Sequence, residues 1–500
     1  MSYKQRLSDL DREGSRSLTR QIVDAFAEAI AAGELGPGEK LPPTRELAEL
    51  AGVNHLTAAR AYRRLAELGL VTARVGQGTF VRDTARASGS AVPDSIAWQR
   101  YALPDLEESY GHRAHAEMHR HARTEGLIPL SVGYPSADLF PIEAIREAAA
   151  ATLRTEPERV LQYSDAQGVP ELAEQVVELS AADGAVEDPA DVVITSGAHQ
   201  ALVITARALL RPGDVVACED PSFMGVIEAV RIPGVQLLGV PTGADGLDVD
   251  ALEALLARRE IKLLALQSRL GNPIGRDLAP ERRERLLSLA RRHGFFILED
   301  GVYSDLRFEG EVPTSLRAEA PAHVIYIDSL SKTLGGGLRV GWVVASGPVV
   351  ERILAEKRAD DMHNPTLPQF TVARYLATGE YAAHIERSRS FYAERRDVLL
   401  AALDEHLGPV ARYVRPFGGH HVWVTLDLAL DERELADEAI RRGVAYVPGG
   451  AMTVERQRAL NLRLSFGFVE PDELVEGVRR LAIAVDALRA RPARAQALPV

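Results

Sequence analysis

The segment Ser329-Leu330-Ser331-Lys332-Thr333-Leu334-Gly335-Gly336-Gly337-Leu338-Arg339 sets hydroxyls three residues and one residue before a lysine, and an arginine seven residues after it. Hydroxyls and a guanidinium at that spacing can bind a phosphate. A lysine that must form an imine needs a depressed pKa, and nearby cations help to supply one. Lys332 is therefore a candidate Schiff-base lysine, with Ser329, Ser331 and Arg339 as phosphate ligands. Lysine after serine is common on surfaces, so the motif gains weight from its place just after the apolar run Val324-Ile325-Tyr326-Ile327. Open α/β sheets place ligands beyond strand ends.

Further residues point the same way. Ile297-Leu298-Glu299-Asp300 ends another apolar run, with Tyr303 three residues on. An aspartate there can pair with a pyridinium nitrogen and keep it protonated, which preserves an electron sink. Asn272-Pro273-Ile274-Gly275 follows the run Leu263 to Leu266 and offers an amide to a ring hydroxyl. Thr195-Ser196-Gly197-Ala198-His199-Gln200 joins a strand to a helix whose N-terminal amides favour a phosphate. Phe223, in Glu219-Asp220-Pro221-Ser222-Phe223, could stack on a flat ring. Taken singly, Asp300, Tyr303 and Asn272 would more often be structural, Phe223 core, and Arg463 a strand residue in an ion pair. Their joint occurrence in this order carries the reading.

The elements that must hold these residues have an α/β texture. From about residue 126 onward, short apolar runs at 192–194, 215–217, 263–266, 295–298 and 324–327 alternate with amphipathic helices. That pattern predicts a mostly parallel sheet covered by helices on both faces. The 500-residue chain divides by texture into a helical head over 1–82, a linker over 83–125, the α/β body over 126–488 and a fraying tail over 489–500. In the linker, Arg86 to Pro93 has flexible composition. His112, His115, His119 and His121 follow; helical spacing could put some on one face as metal ligands, but no cysteine or paired acid accompanies them, so a solvated segment with scattered histidines is the favoured reading and no metal is expected.

Composition narrows the class further. Apolar residues at 46% and charged residues at 26% are ordinary for a globular protein. A net charge of −13 supplies no global pull toward nucleic acid, so any DNA contact must be a local patch. A single cysteine, Cys218, excludes an internal disulfide. Met1 to Leu10 lacks the apolar core of a signal peptide, and no run approaches ~18 apolar residues. The expectation is a cytoplasmic protein without a membrane partner.

The head carries its own motif. Ile22, Val23, Phe26 and Ile30 form the stripe of a first helix. Thr44 is placed to cap a second helix over 45–51, and Asn54 a third that runs to Leu68. Ala58, Tyr62 and Leu65 face inward, leaving His55, Arg60, Arg63 and Arg64 outward. Two helices across a tight turn make a helix-turn-helix whose second helix can enter a major groove. Leu70 to Thr72 and Val75 to Val81 then read as a two-stranded wing with a glycine tip, where backbone amides can approach phosphate.

The run from Gly33 to Ala48, Gly52-Val53, and Gly76-Gln77-Gly78-Thr79-Phe80-Val81 resemble the GntR family of winged-helix regulators. The resemblance implies double-stranded DNA as partner, with contacts from Arg45, Thr57 and the Gly76–Gly78 turn; His55 and Arg60 join them as outward residues of the third helix. His55 stands where an arginine is usual in the family, and Ala59 fills another frequently basic position.

The body, over 126–488, resembles the fold-type-I pyridoxal-phosphate aminotransferases, with a central sheet and a smaller α+β subdomain. The resemblance implies pyridoxal 5'-phosphate as cofactor, held as an internal aldimine on Lys332. It implies Asp300 at the pyridine nitrogen, Tyr303 and Asn272 at the ring oxygen, and Phe223 on the ring face. Ser329, Ser331, Arg339 and the backbone of Ala198 and His199 would hold the phosphate. Arg463, in Leu462-Arg463-Leu464-Ser465-Phe466, matches a carboxylate-binding arginine, and Gly133-Tyr134-Pro135 and Pro416-Phe417-Gly418-Gly419 match segments that border the substrate. Tyr163 matches a tyrosine that reaches the neighbouring subunit's phosphate, which implies a homodimer. Ala198 departs from a frequent hydroxyl residue, at a cost of about 1 kcal/mol for one missing hydrogen bond.

A GntR-type head on such a body resembles the MocR family of regulators. The resemblance implies a regulator in which the cofactor, or an amino acid or amine that forms an external aldimine with it, shifts the heads. The alternatives are a working aminotransferase with an attached head, and a repressor with a vestigial body.

Overall fold

The computed structural model describes residues 3–11, 17–31, 34–36, 38–67, 70–74, 78–81, 109–455 and 459–490. The chain divides into two compact units, residues 1–106 and 107–500.

The first unit holds α1 (Tyr3–Ser8), α2 (Leu18–Ala31), α3 (Thr44–Leu50), α4 (His55–Glu67), β1 (Val71–Arg74) and β2 (Gly78–Val81). Ile22, Val23 and Phe26 of α2 meet Leu47 of α3 and Ala58, Tyr62 and Leu65 of α4 in one buried cluster. Helix α4 starts where Asn54 Oδ1 accepts the Thr57 amide at 2.7 Å, a side-chain N-cap. Helix α3 departs from the expected start. Pro43, extended at φ −54° and ψ 151°, precedes it without a side-chain cap, and Thr44 is its first helical residue. Proline fixes φ ahead of the helix, so Thr44 is already inside it. Strands β1 and β2 pair antiparallel, with Arg74 opposite Gly78. Helix α1 has no counterpart in the sequence reading; its Leu7 joins the head core. The expected tip residue Gly76 lies outside the described residues.

The second unit opens with α5 (Tyr110–His121), inside the stretch read as irregular linker. Ser109 caps it by accepting the His112 amide at 2.9 Å. Ala114 of α5 packs on Met224, Ala451 and Met452, so this segment is part of the body. Its four histidines hid the pattern, because only Gly111, Ala114 and Met118 are buried.

The eight strands of the main sheet are β3 (Val192–Thr195), β4 (Val215–Asp220), β5 (Gln236–Gly243), β6 (Gly246–Leu247), β7 (Ile261–Leu266), β8 (Phe296–Asp300), β9 (Val324–Ser329) and β10 (Gly341–Val344). Their order is β3-β10-β9-β8-β7-β4-β5-β6. The neighbours from β9 through β5 run parallel. Strand β10 is antiparallel to both β9 and β3, and β6 turns back on β5. Successive residues feed opposite faces. Val193, Val216, Leu263, Leu298, Ile325 and Val343 pack on one side, and Val192, Ala217, Leu264, Ile297 and Val344 on the other. Both faces are therefore apolar, as a helix-covered sheet requires.

Helices α6 (Ala198–Leu209), α7 (Pro280–His293), α8 (Glu380–Leu407) and α9 (Pro471–Arg489) follow along the chain. Helices α8 and α9 pack against a second sheet in a cluster that includes Leu399, Leu403, Val422, Leu462, Leu464, Leu481 and Val485. That sheet has β11 (Ala411–Tyr413), β12 (His421–Leu426), β13 (Val447–Pro448) and β14 (Leu460–Ser465) in the order β11-β12-β14-β13. This is the smaller subdomain. Among the described residues no helix is long and apolar enough to cross a membrane.

Candidate functional site

The parallel strands of the main sheet end in polar residues at one edge. Asp300 closes β8 and pairs in register with Ile327 of β9, two residues before Ser329. The loop after β7 brings Asn272, and Thr195 of β3 leads through Gly197 into α6. The chemistry therefore gathers at the carboxyl ends of the strands, where crossing to the helices opens a crevice.

Lys332 follows β9 in a short 3-10 turn. Its Nζ donates to the Gly133 carbonyl at 2.9 Å and lies 5.7 Å from the centre of the Tyr303 ring. Burial first, and then the positive charges of Arg463 and Arg339, lower its pKa from 10.5 to about 8 against the opposing pull of Asp300. The Asp300 carboxylate is buried; Oδ2 accepts from Gln267 Nε2 at 3.1 Å and Oδ1 from the Val302 amide at 3.1 Å. Burial raises its pKa to about 6, and those hydrogen bonds oppose the rise.

Ser329 and Ser331 lie together at the end of β9, and Arg339 reaches the turn into α6. Ser329 Oγ and Ser331 Oγ are 2.8 Å apart, and Arg339 Nη2 donates to the Ser196 carbonyl. Gly197, at φ +81°, precedes α6; a Cβ there would stand 2.7 Å from Arg339 Nη2. Only glycine allows this close approach of the guanidinium to the backbone. Ala198 and His199 are the first two residues of the twelve-residue α6, so their amides are among the four that the helix leaves unpaired. The Ser196 amide and Gln200 Oε1 meet at 2.7 Å, which fixes the turn into the helix. Phe223 immediately precedes the short helix Met224–Val230 and is half-buried.

Arg463, on β14, is 1% exposed and makes no ion pair with a carboxylate among the described residues. Its Nη2 donates to the Ser131 carbonyl at 2.8 Å and lies 3.8 Å from Met118 Sδ; Nη1 reaches Asn272 Oδ1 at 3.4 Å. Burial lowers its pKa to about 10. A buried guanidinium held only by neutral groups is an unmatched charge, and a ligand carboxylate would match it.

One expected residue is not brought to this place within a single chain. Tyr163 is 79% exposed, with its ring edge-on to His363 at 5.7 Å. It shares no hydrogen bond or ring contact with the residues above.

Three histidines to which the sequence assigned no role at this site also stand close to Lys332 and Arg463. His421 Nε2 and Tyr303 Oη are 2.9 Å apart, both buried. The His420 ring lies 4.4 Å from that of Tyr392, tilted by 54°, and burial lowers its pKa to about 3. His115 of α5 has its pKa lowered to about 4 by burial, then by His119, His199, Lys332 and Arg463, so it faces the same charges. The available signal was Gly418-Gly419-His420-His421, two histidines entering an alternating apolar strand.

On the head, Arg45, His55 and Arg60 are exposed, and Gly78 lies exposed at the start of β2. Thr57 is half-buried, and its Oγ1 donates to Asn54 Oδ1 at 2.9 Å. Thr57 thus supports the start of α4.

Comparison with known proteins agrees with this geometry. Residues 125–481 match the aminotransferase class I and II family, and residues 18–81 match the gntR family of bacterial regulatory proteins. The 2-aminoadipate transaminase of Thermus thermophilus is 36% identical over 73% of this chain and 91% of its own length. The HTH-type transcriptional regulator TauR of Rhodobacter capsulatus is 30% identical over 94% of this chain and 97% of its own. The crystal structure of LysN, an alpha-aminoadipate aminotransferase from Thermus thermophilus complexed with N-(5'-phosphopyridoxyl)-L-leucine, superposes with a TM-score of 0.72 at 34% identity, covering 79% of this chain and 99% of that one. With a gntR-family DNA-binding head and an aminotransferase class I and II body on one polypeptide, the chain belongs to the MocR family of transcriptional regulators.

Proposed function

We propose that this protein is a pyridoxal-phosphate-dependent transcriptional regulator that binds double-stranded DNA through its winged helix and senses an amino acid or amine at Lys332. The observation that carries the reading is a depressed lysine amine beside a buried arginine that lacks a carboxylate, on the same chain as a DNA-binding head.

Pyridoxal phosphate fits the donor set. Lys332 supplies the amine, Asp300 an anion for the ring nitrogen, and Tyr303 and Asn272 polar groups for the ring oxygen. Phe223 offers a flat apolar face. Ser329, Ser331, Arg339 and the amides of Ala198 and His199 form a phosphate cradle. When bound, the cofactor supplies an aldehyde for amines and an electron sink. Arg463 orients a carboxylate, with Gly133 on the border of the pocket. A homodimer would let Tyr163 reach the partner's phosphate; its exposure, and that of Leu161 at 81% and Met362 at 63%, supports a second copy there.

A ligand shifts the heads only if it binds two arrangements with different affinity. The test selects DNA from a random pool with full-length protein, with and without pyridoxal phosphate and single amino acids. Enrichment should depend on Arg45 and respond to a ligand that needs Lys332. Enrichment that ignores Lys332 and every ligand would contradict sensing.

Turnover is the second reading. Lys332, Asp300, Tyr303 and Arg463 are all present, and the match to the transaminase relative covers 91% of that protein's length. Production of a keto acid from a bound amino acid would favour it; a stable spectral change without product would favour sensing.

A further inference from the structure

Tyr303 Oη has one hydrogen-bond partner among the described residues, His421 Nε2 at 2.9 Å. Their rings meet edge to face, 5.7 Å apart at 82°. His421 opens β12 opposite Ser465 of β14, two residues from Arg463. Gly133 makes room for it: a Cβ on Gly133 would stand 2.6 Å from His421 Cε1. The same glycine's carbonyl accepts from Lys332 Nζ. Lys332, Gly133, His421 and Tyr303 thus form one packed set.

The tautomer of His421 decides what this contact does. Its Nδ1 is buried and has no hydrogen-bond partner among the described residues. A proton on Nδ1 would be an orphaned buried donor, which proteins avoid more strictly than an underused acceptor. Burial first, and then Arg463, His420 and Lys332, favour the uncharged form of the ring. The proton therefore belongs on Nε2, which donates to Tyr303 Oη and leaves the phenol's own proton for another acceptor.

We propose that His421 is a positioning residue for Tyr303, donating from Nε2 to the phenol oxygen so that the tyrosine proton is directed to the ring oxygen of the cofactor. The inference rests on the reading that this pocket holds pyridoxal phosphate. Hydrogen bonds in a chain polarise one another, so donation from His421 strengthens donation by Tyr303. Stronger donation stabilises the ring oxygen as an anion, and the proton held between that oxygen and the lysine nitrogen leaves at lower pH. The charged and titratable groups facing the pair are Arg463, Lys332, His420, Asp300 and Tyr392.

The experiment is a pH titration of the Lys332-dependent absorbance band in full-length protein saturated with pyridoxal phosphate. Tyr303→Phe should move the midpoint to higher pH. His421→Phe should move it the same way by about half a pH unit, or roughly threefold in proton affinity. His421→Gln keeps an N–H donor and should return the midpoint toward the native value. Added to Tyr303→Phe, His421→Phe should cause no further shift, since its effect runs through the phenol. Should the phenylalanine variant not fold, His421→Met against His421→Gln makes the same comparison. A normal band whose midpoint ignores His421, or moves equally with and without the Tyr303 hydroxyl, overturns the proposal alone. No Lys332-dependent band in the native protein would remove the cofactor reading and this proposal with it.

Discussion

A lysine amine must be uncharged to attack an aldehyde, and at neutral pH an ordinary lysine rarely is. Burial and the charges of Arg463 and Arg339 bring Lys332 down to about 8. A lowered lysine pKa means more neutral amine at pH 7. Capture of pyridoxal phosphate by the cofactor-free protein should therefore rise with pH about a midpoint near 8, not near 10.5, when followed by stopped-flow absorbance. Arg463 supports a second prediction. A hydrogen-bonded charge pair is worth ~1.5–3 kcal/mol, so Arg463→Ala should weaken amino acids roughly 10- to 100-fold and leave amines without a carboxylate unaffected, read by spectral titration. Most of these residues were legible because chemistry fixes their type and order along the chain. His420 and His421 were not, because a histidine in a strand looks the same whether it fills core or holds a tyrosine. For His421, the 2.9 Å contact with Tyr303 Oη separates the two.

The elements were legible where one physical signal dominated. The strands ending at Thr195, Asp220, Leu266, Asp300 and Ser329 announced themselves as short apolar runs bounded by polar residues. Strand β10 did not, because Gly341-Trp342-Val343-Val344 follows directly on a glycine-rich turn and its antiparallel direction is set by its neighbours. Helix α5 was masked by polar composition, with three small or flexible residues as its buried stripe. The helix caps of the head yield a paired prediction. Asn54→Ala removes the cap of α4 and should destabilise the head by ~1 kcal/mol, seen as faster amide exchange along α4. Thr44→Ala should not do so, because Thr44 makes no cap hydrogen bond.

At the scale of the whole molecule, a net charge of −13 works against DNA, so binding must rest on the local charges of the head. Arg45→Ala should weaken DNA binding and leave the cofactor spectrum unchanged. The exposed apolar residues Ile142, Leu161, Tyr163 and Met362 of the body suit a partner copy. Under the proposed homodimer, with Tyr163 reaching the neighbouring subunit's phosphate, Leu161→Glu should shift sedimentation toward monomer and loosen cofactor retention. The central claim is that Lys332 makes the body of a DNA-binding protein a pyridoxal phosphate receptor for amino compounds. It is tested most directly by the absorbance spectrum of the purified full-length protein with pyridoxal phosphate, beside Lys332→Ala, while amino acids are added singly. The spectrum should show a band near ~420 nm that requires Lys332 and changes with particular amino acids. A spectrum identical to free pyridoxal phosphate, with or without Lys332, would contradict it.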